Sequence, residues 1–147
     1  MIPVLLLEFF LMYHSVEFPW EWMAAQVKWE SDFDTHAISP SGAKGLCQFK
    51  NITWEEWGQG SPYCPENAIR AQAKYTRWCY RWVARQKPGL DPETLRWWAV
   101  VAYTWGPGHI TPELKVSEVP EDVVRHANCI AIDAHRMKRE VKEYARR

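Results

Sequence analysis

Between Glu66 and Arg85 the chain repeats on the period of a helix. Arg70, Lys74, Arg77, Arg81 and Arg85 recur at three- and four-residue spacing and fall on one face, while Ala71, Tyr75, Trp78 and Trp82 fall on another. The neighbouring segments are punctuated to match. "KPGLDPE" breaks the chain, and Asp91 then reads as an N-cap with Pro92 at the first helical position. That helix runs through "TLRWWAVVAYTW" and stops at "GPGH". Pro19 opens an earlier helix that carries Trp22, Ala25, Gln26 and Trp29 on one face and ends near Glu30. An apolar helix is predicted near residues 3–14, a capping box at "TWEE" (53–56), and a last helix from about Pro120 to the C-terminus. No stretch alternates convincingly as a strand. The expectation is an all-α domain, with at most a minimal hairpin in the Ser/Gly-rich loop 32–45. The 147 residues suffice for one domain, 1–147, and not for two ordinary ones.

Several function classes lose ground at once. The formal net charge is +0, so nucleic acid is not an expected partner. Cys47, Cys64, Cys79 and Cys129 include no C-x-x-C pair, so no metal site or cofactor is expected, and free thiols are favoured over disulfides. The start, "MIPVLLLEFFLMYHSVEF", has no basic flank and carries Glu8 within its apolar run; it reads as a core helix, not a cleaved leader. Ten Trp exceed what a core of this size needs, and some are expected to line a groove. The basic face of 66–85 and the C-terminal "RMKREVKEYARR" are solvated helix surface, or a weak contact for anionic wall or outer-membrane polymers.

Glu30 is the residue with chemistry to offer. At the last turn of its helix it meets the negative end of the dipole, and the apolar side chains beside it reduce its solvation. Both effects favour the protonated acid, which is what protonation of a glycosidic oxygen requires. Gly42 and Gly45 allow close backbone approach in the loop that follows, Ser39 offers a hydroxyl, and Gln48 an amide suited to an acetamido group.

"ES" at Glu30–Ser31 followed by "AISPSGAKGLCQF" at 37–49 resembles the signature of the lysozyme-like lytic transglycosylases of the soluble type, with every fixed position but one met. Cys47 stands where that family usually has Met. Thr53 matches a Thr that follows the family's Gln, and "AYTWGPG" at 102–108 is similar to its A-Y-N-A-G-P-G, with Thr104 and Trp105 departing from it. Pro120–Glu121–Asp122 is a third, weaker match, and His126 lies where the family often has Tyr. The resemblance implies a lysozyme-like fold acting on peptidoglycan glycan strands. It implies Glu30 as the sole acid/base, with Ser39, Gln48 and Tyr103 orienting it and the acetamido group, and Phe49 and nearby Trp shaping the groove, with Thr53 beside it. The product would be 1,6-anhydro-muramic ends.

A hydrolytic muramidase of the same fold is the rival. It needs a second carboxylate, at roughly 6.5–9.5 Å for inversion or roughly 5–5.5 Å for retention. Asp32, Asp34, Glu55 and Glu56 are the nearby candidates. A non-catalytic glycan-binding or virion protein is the reading from another class. The expected setting is a monomeric phage endolysin, held in the host cytoplasm until lysis and acting on the wall, with a virion-associated enzyme as the alternative.

Overall fold

The structure, a computed structural model, describes residues 2–147. Six helices form: α1 (Val4–Met12), α2 (Trp20–Ser31), α3 (Asn51–Trp57), α4 (Pro65–Gln86), α5 (Pro92–Trp105) and α6 (Glu121–Ala145). Single 3-10 turns at Pro107–His109 and Val116–Glu118 link α5 to α6. Among the described residues no strand forms. Two isolated antiparallel bridges, Ile38 to Lys44 and Lys44 to Phe49, are the whole β content and lie in the loop after α2.

The helices begin and end for local reasons. Asp91 accepts from Thr94 N–H at 3.1 Å with Pro92 in the first turn, as its sequence predicts. Gly106, at φ 112°, ends α5. The α2 helix ends because Asp32 and Phe33 both turn left-handed, at φ 52° and 62°. The capping box at 53–56 does not form: α3 starts at Asn51 after an extended Lys50, without a side-chain cap, so Thr53 lies inside the helix. Phe49 is anchored in the core just before it, which fixes where the helix starts.

The α2 helix runs through the middle of the molecule. Every residue from Glu21 to Val27 is buried, whichever way it points. The α6 helix packs most extensively on α2, and α4 on α5. The last turn of α2 emerges from this sleeve. Trp29, whose spacing puts it on one face with Trp22, is therefore 46% exposed. The α1 helix was expected to be core and is a surface helix instead: Leu6 and Phe10 are buried, while Val4, Leu5, Leu11 and Met12 face outward. A nine-residue helix that is apolar on every side but for Glu8 has only one side to bury against α2 and α4. No helix among the described residues is long and apolar enough to cross a membrane. All four cysteines are free, with Cys47 and Cys79 buried.

Candidate active site

The emergence of α2 delivers Glu30 to the wall of a groove of about 460 Å³, the size of an ordinary small-ligand cleft. The loop 37–49, the start of α3 and the end of α5 supply most of the rest: Ser39, Ser41, Gln48, Phe49, Thr53, Tyr103, Thr104 and Trp105 all line it. The expected site residues are thus brought together around one opening. Among the described residues Glu30 is the one carboxylate on that lining; Asp32, Asp34, Glu55 and Glu56 are not part of it. Two of these have their place explained by turns: Asp32 caps α2, and Asp34 accepts the His36 N–H at 2.9 Å.

The loop is held in shape by its own polar groups. Ser39 N–H donates to Ala43 O at 2.9 Å, and Ser39 Oγ accepts from Ala43 N–H at 3.0 Å. Gln48 donates through Nε2 to Gly45 O at 2.9 Å and Ala37 O at 3.3 Å. Tyr103 Oη donates to Cys47 O at 2.7 Å, which ties α5 to the loop. Ser39, Gln48 and Tyr103 therefore build the groove wall, and the bonds just described go to backbone, not to Glu30. Phe49 is 3% exposed and packs edge-on against Tyr103, with Trp54 and Tyr75 also around it. It forms the groove floor as part of the core.

The electrostatics follow from enclosure. Burial first, and then the negative charge of Glu30, push the Cys47 thiol well above its ordinary range. Burial likewise raises the Tyr103 phenol well above its usual value, with Cys47 and Glu30 adding to it. Both groups are neutral at physiological pH, so Tyr103 stays a hydroxyl donor and Cys47 an inert apolar filler.

Two features escaped the sequence. His126 of α6 places Nε2 at 3.4 Å from Glu30 Oε1, and the two side chains are 20% and 17% exposed. The only signal was its departure from the Tyr expected there, since Glu30 lies in another helix and far along the chain. Tyr75, expected on a packing face of α4, also reaches the groove. The Trp excess is mostly packing: of the ten, only Trp105 lines the groove. Trp22 and Trp98 are buried, and Trp57, Trp78 and Trp82 form an aromatic row against the core.

The family model described as "Transglycosylase SLT domain" matches residues 14–122. The chain is similar to a membrane-bound lytic murein transglycosylase F of Alcanivorax borkumensis, 38% identical over 93 residues, 63% of this chain and 19% of that protein. It is similar to the protein of the same name from Maricaulis maris, 35% identical over 104 residues, 71% of this chain and 22% of that one. The chain thus spans about a fifth of the length of these curated relatives. The fold matches the 70 kDa soluble lytic transglycosylase of Escherichia coli at a TM-score of 0.64 and 19% identity, over 89% of this chain and 24% of that one.

Proposed function

The chain belongs to the SLT transglycosylase domain family, and on that premise we propose that residues 1–147 form one catalytic unit, a peptidoglycan lytic transglycosylase with Glu30 as single acid/base. Glu30 in its acid form protonates the oxygen bridging N-acetylmuramic acid to N-acetylglucosamine. The C1–O4 bond breaks, and the N-acetylglucosamine side leaves with a free 4-hydroxyl. The muramic 2-acetamido carbonyl stabilises the positive charge at C1. Glu30, now a carboxylate, takes the proton of the muramic 6-hydroxyl; O6 bonds to C1 and closes a 1,6-anhydro ring. No water is consumed and Glu30 ends the cycle protonated. Ser39, Gln48 and Tyr103 hold the loop that carries the acetamido subsite, Phe49 supplies its floor and Thr53 its rim.

The observation that carries this reading is that, among the described residues, Glu30 is the one carboxylate on the groove lining. A muramidase of the usual inverting or double-displacement type needs a second carboxylate across the scissile bond, and the four candidates nearest in sequence are not on that lining. The partner is the glycan strand, met by a monomer. The finer placement belongs to the same proposal: an endolysin that reaches the wall when the host lyses. Finding the chain in purified phage particles would favour the virion-associated alternative.

The test is mass spectrometry of muropeptides released from purified peptidoglycan, with Glu30→Gln beside the wild type. We expect 1,6-anhydro-muramic ends from the wild type and a loss of about 10²–10⁴-fold with Glu30→Gln. Reducing muramic ends would establish hydrolysis instead. Release by Glu30→Gln at the wild-type rate would remove Glu30 from the chemistry, and no release by either protein would favour glycan binding without turnover.

A further inference from the structure

His126 enters no step of that reaction, yet it stands beside its acid. Its Nε2 is fully enclosed and has no hydrogen-bond partner within ordinary limits. Glu30 Oε1 lies 3.4 Å from it. A buried N–H without an acceptor is costly, and a few tenths of an ångström of closure turns this approach into a hydrogen bond. We propose that His126 is a positioning residue for Glu30, donating Nε2–H to Oε1 so that the transferable proton is carried on Oε2. The inference rests on Glu30 being the acid.

The physical argument concerns which oxygen is free. A carboxylic acid has one O–H and one carbonyl oxygen, and a donor aimed at Oε1 makes Oε1 the acceptor. The proton then sits on the other oxygen, and rotation of the carboxyl about its last torsion is restrained. Without the donor that torsion is broad. Precise placement of a reacting group is worth more than its own contact energy, because the transfer succeeds only from one geometry.

Several ionisable groups share the surroundings of the imidazole. From α2 it faces Glu30. Tyr103 of α5 and Cys47 of the loop share the field of that carboxylate. On α6 itself, Asp122 and Cys129 lie one turn to either side.

The test is steady-state turnover of soluble, uncrosslinked glycan strands by wild type, His126→Leu, His126→Gln and Glu30→Gln, with melting curves for each. His126→Leu is expected to lower kcat about tenfold or more while KM stays within about twofold. His126→Gln, which keeps an amide N–H, is expected to recover most of kcat, and its pH profile should lack one ionisation that the wild type shows. Equal kcat for His126→Leu and wild type would overturn the proposal, as would equal impairment of the Leu and Gln variants. Should His126→Leu fail to fold, His126→Gln decides alone: retained kcat with an unchanged pH profile overturns it. Glu30→Gln keeps the two ideas apart. An active Glu30→Gln sinks the proposed reaction; an inactive one beside an unaffected His126→Leu sinks only the positioning role.

Discussion

Asp133 lies two turns beyond His126 on the same face of α6 and ties that helix to the turn bearing Glu30. Its Oδ2 accepts from Lys28 Nζ at 2.9 Å and from the Trp29 indole N–H at 2.8 Å, and its Oδ1 pairs with Arg136 at 2.8 Å. This explains an exposed Trp29: its N–H serves the clamp while its ring lies at the surface beside Lys28. Lys28, Trp29 and Glu30 are consecutive, so the clamp sets the register in which His126 meets Glu30. Burial pushes the Asp133 carboxyl up, but the hydrogen bonds from Lys28 and Trp29 and the charges of Lys28 and Arg136 outweigh it and hold the group below its ordinary value. A folded-state value below the unfolded one means stability that is complete above about pH 4 and lost as pH falls through the folded value. Asp133→Asn is expected to cost about 2 kcal/mol at pH 7. Urea unfolding at pH 7, 5 and 3 should show the wild-type advantage unchanged between the first two and reduced at the third. An advantage independent of pH would mean the carboxylate charge is not what holds the clamp.

At the scale of the element, the loop between α2 and α3 depends on two glycines in different ways. Gly45 has φ 74°, and a Cβ there would collide with the carbonyl oxygen of Pro62, a backbone atom with nowhere to go. Gly42 has φ 86° but open space around it. Gly42→Ala therefore carries only the left-handed penalty, about 1–2 kcal/mol. Gly45→Ala adds displacement of either the loop or the 61–64 turn and should cost more than about 3 kcal/mol in total. Gly45 N–H also donates to Ala37 O at 2.8 Å, so the displacement reaches the groove wall that Gln48 braces from the same two residues. Thermal melts and glycan turnover on both variants check this: Gly45→Ala should lose stability and activity together, and Gly42→Ala should keep most of both. Equal melting temperatures for the two would show that the Pro62 contact yields easily. The elements themselves were legible where local chemistry decides them. Asp91, Pro92 and Gly106 bound α5 as read, because caps and left-handed stops act within one turn. Thr53 and Glu56 fit a capping box in spacing alone; Phe49, packed into the core just ahead, starts α3 three residues sooner.

At the scale of the molecule, what the sequence could not show is which helices meet. Glu30 and the loop behind it were readable because they are adjacent in the chain. The pairs Glu30–His126 and Lys28–Asp133 join residues about a hundred positions apart, and no local period encodes them. The periodicity of α2 misled for a related reason: a helix enclosed on all sides has no polar face to mark its orientation. Its mid-helix Gln26 instead meets Gln72 of α4, and both are fully buried. Gln72 Nε2 donates to Met23 O and to Gln26 Oε1, each at 3.1 Å, while Gln26 Nε2 and Gln72 Oε1 lack partners. A half-satisfied amide pair at the centre of the bundle adds little net stability but makes one register of α2 against α4 cheaper than its alternatives. Replacing one amide strands the other. Gln26→Met and Gln72→Met alone should each cost about 1–3 kcal/mol, whereas the double variant should cost less than the sum, because it removes both desolvated amides at once. A double-mutant cycle by urea unfolding measures this directly. Strict additivity would mean that the two amides do not depend on each other, and that apolar packing alone seats the helix that carries Glu30.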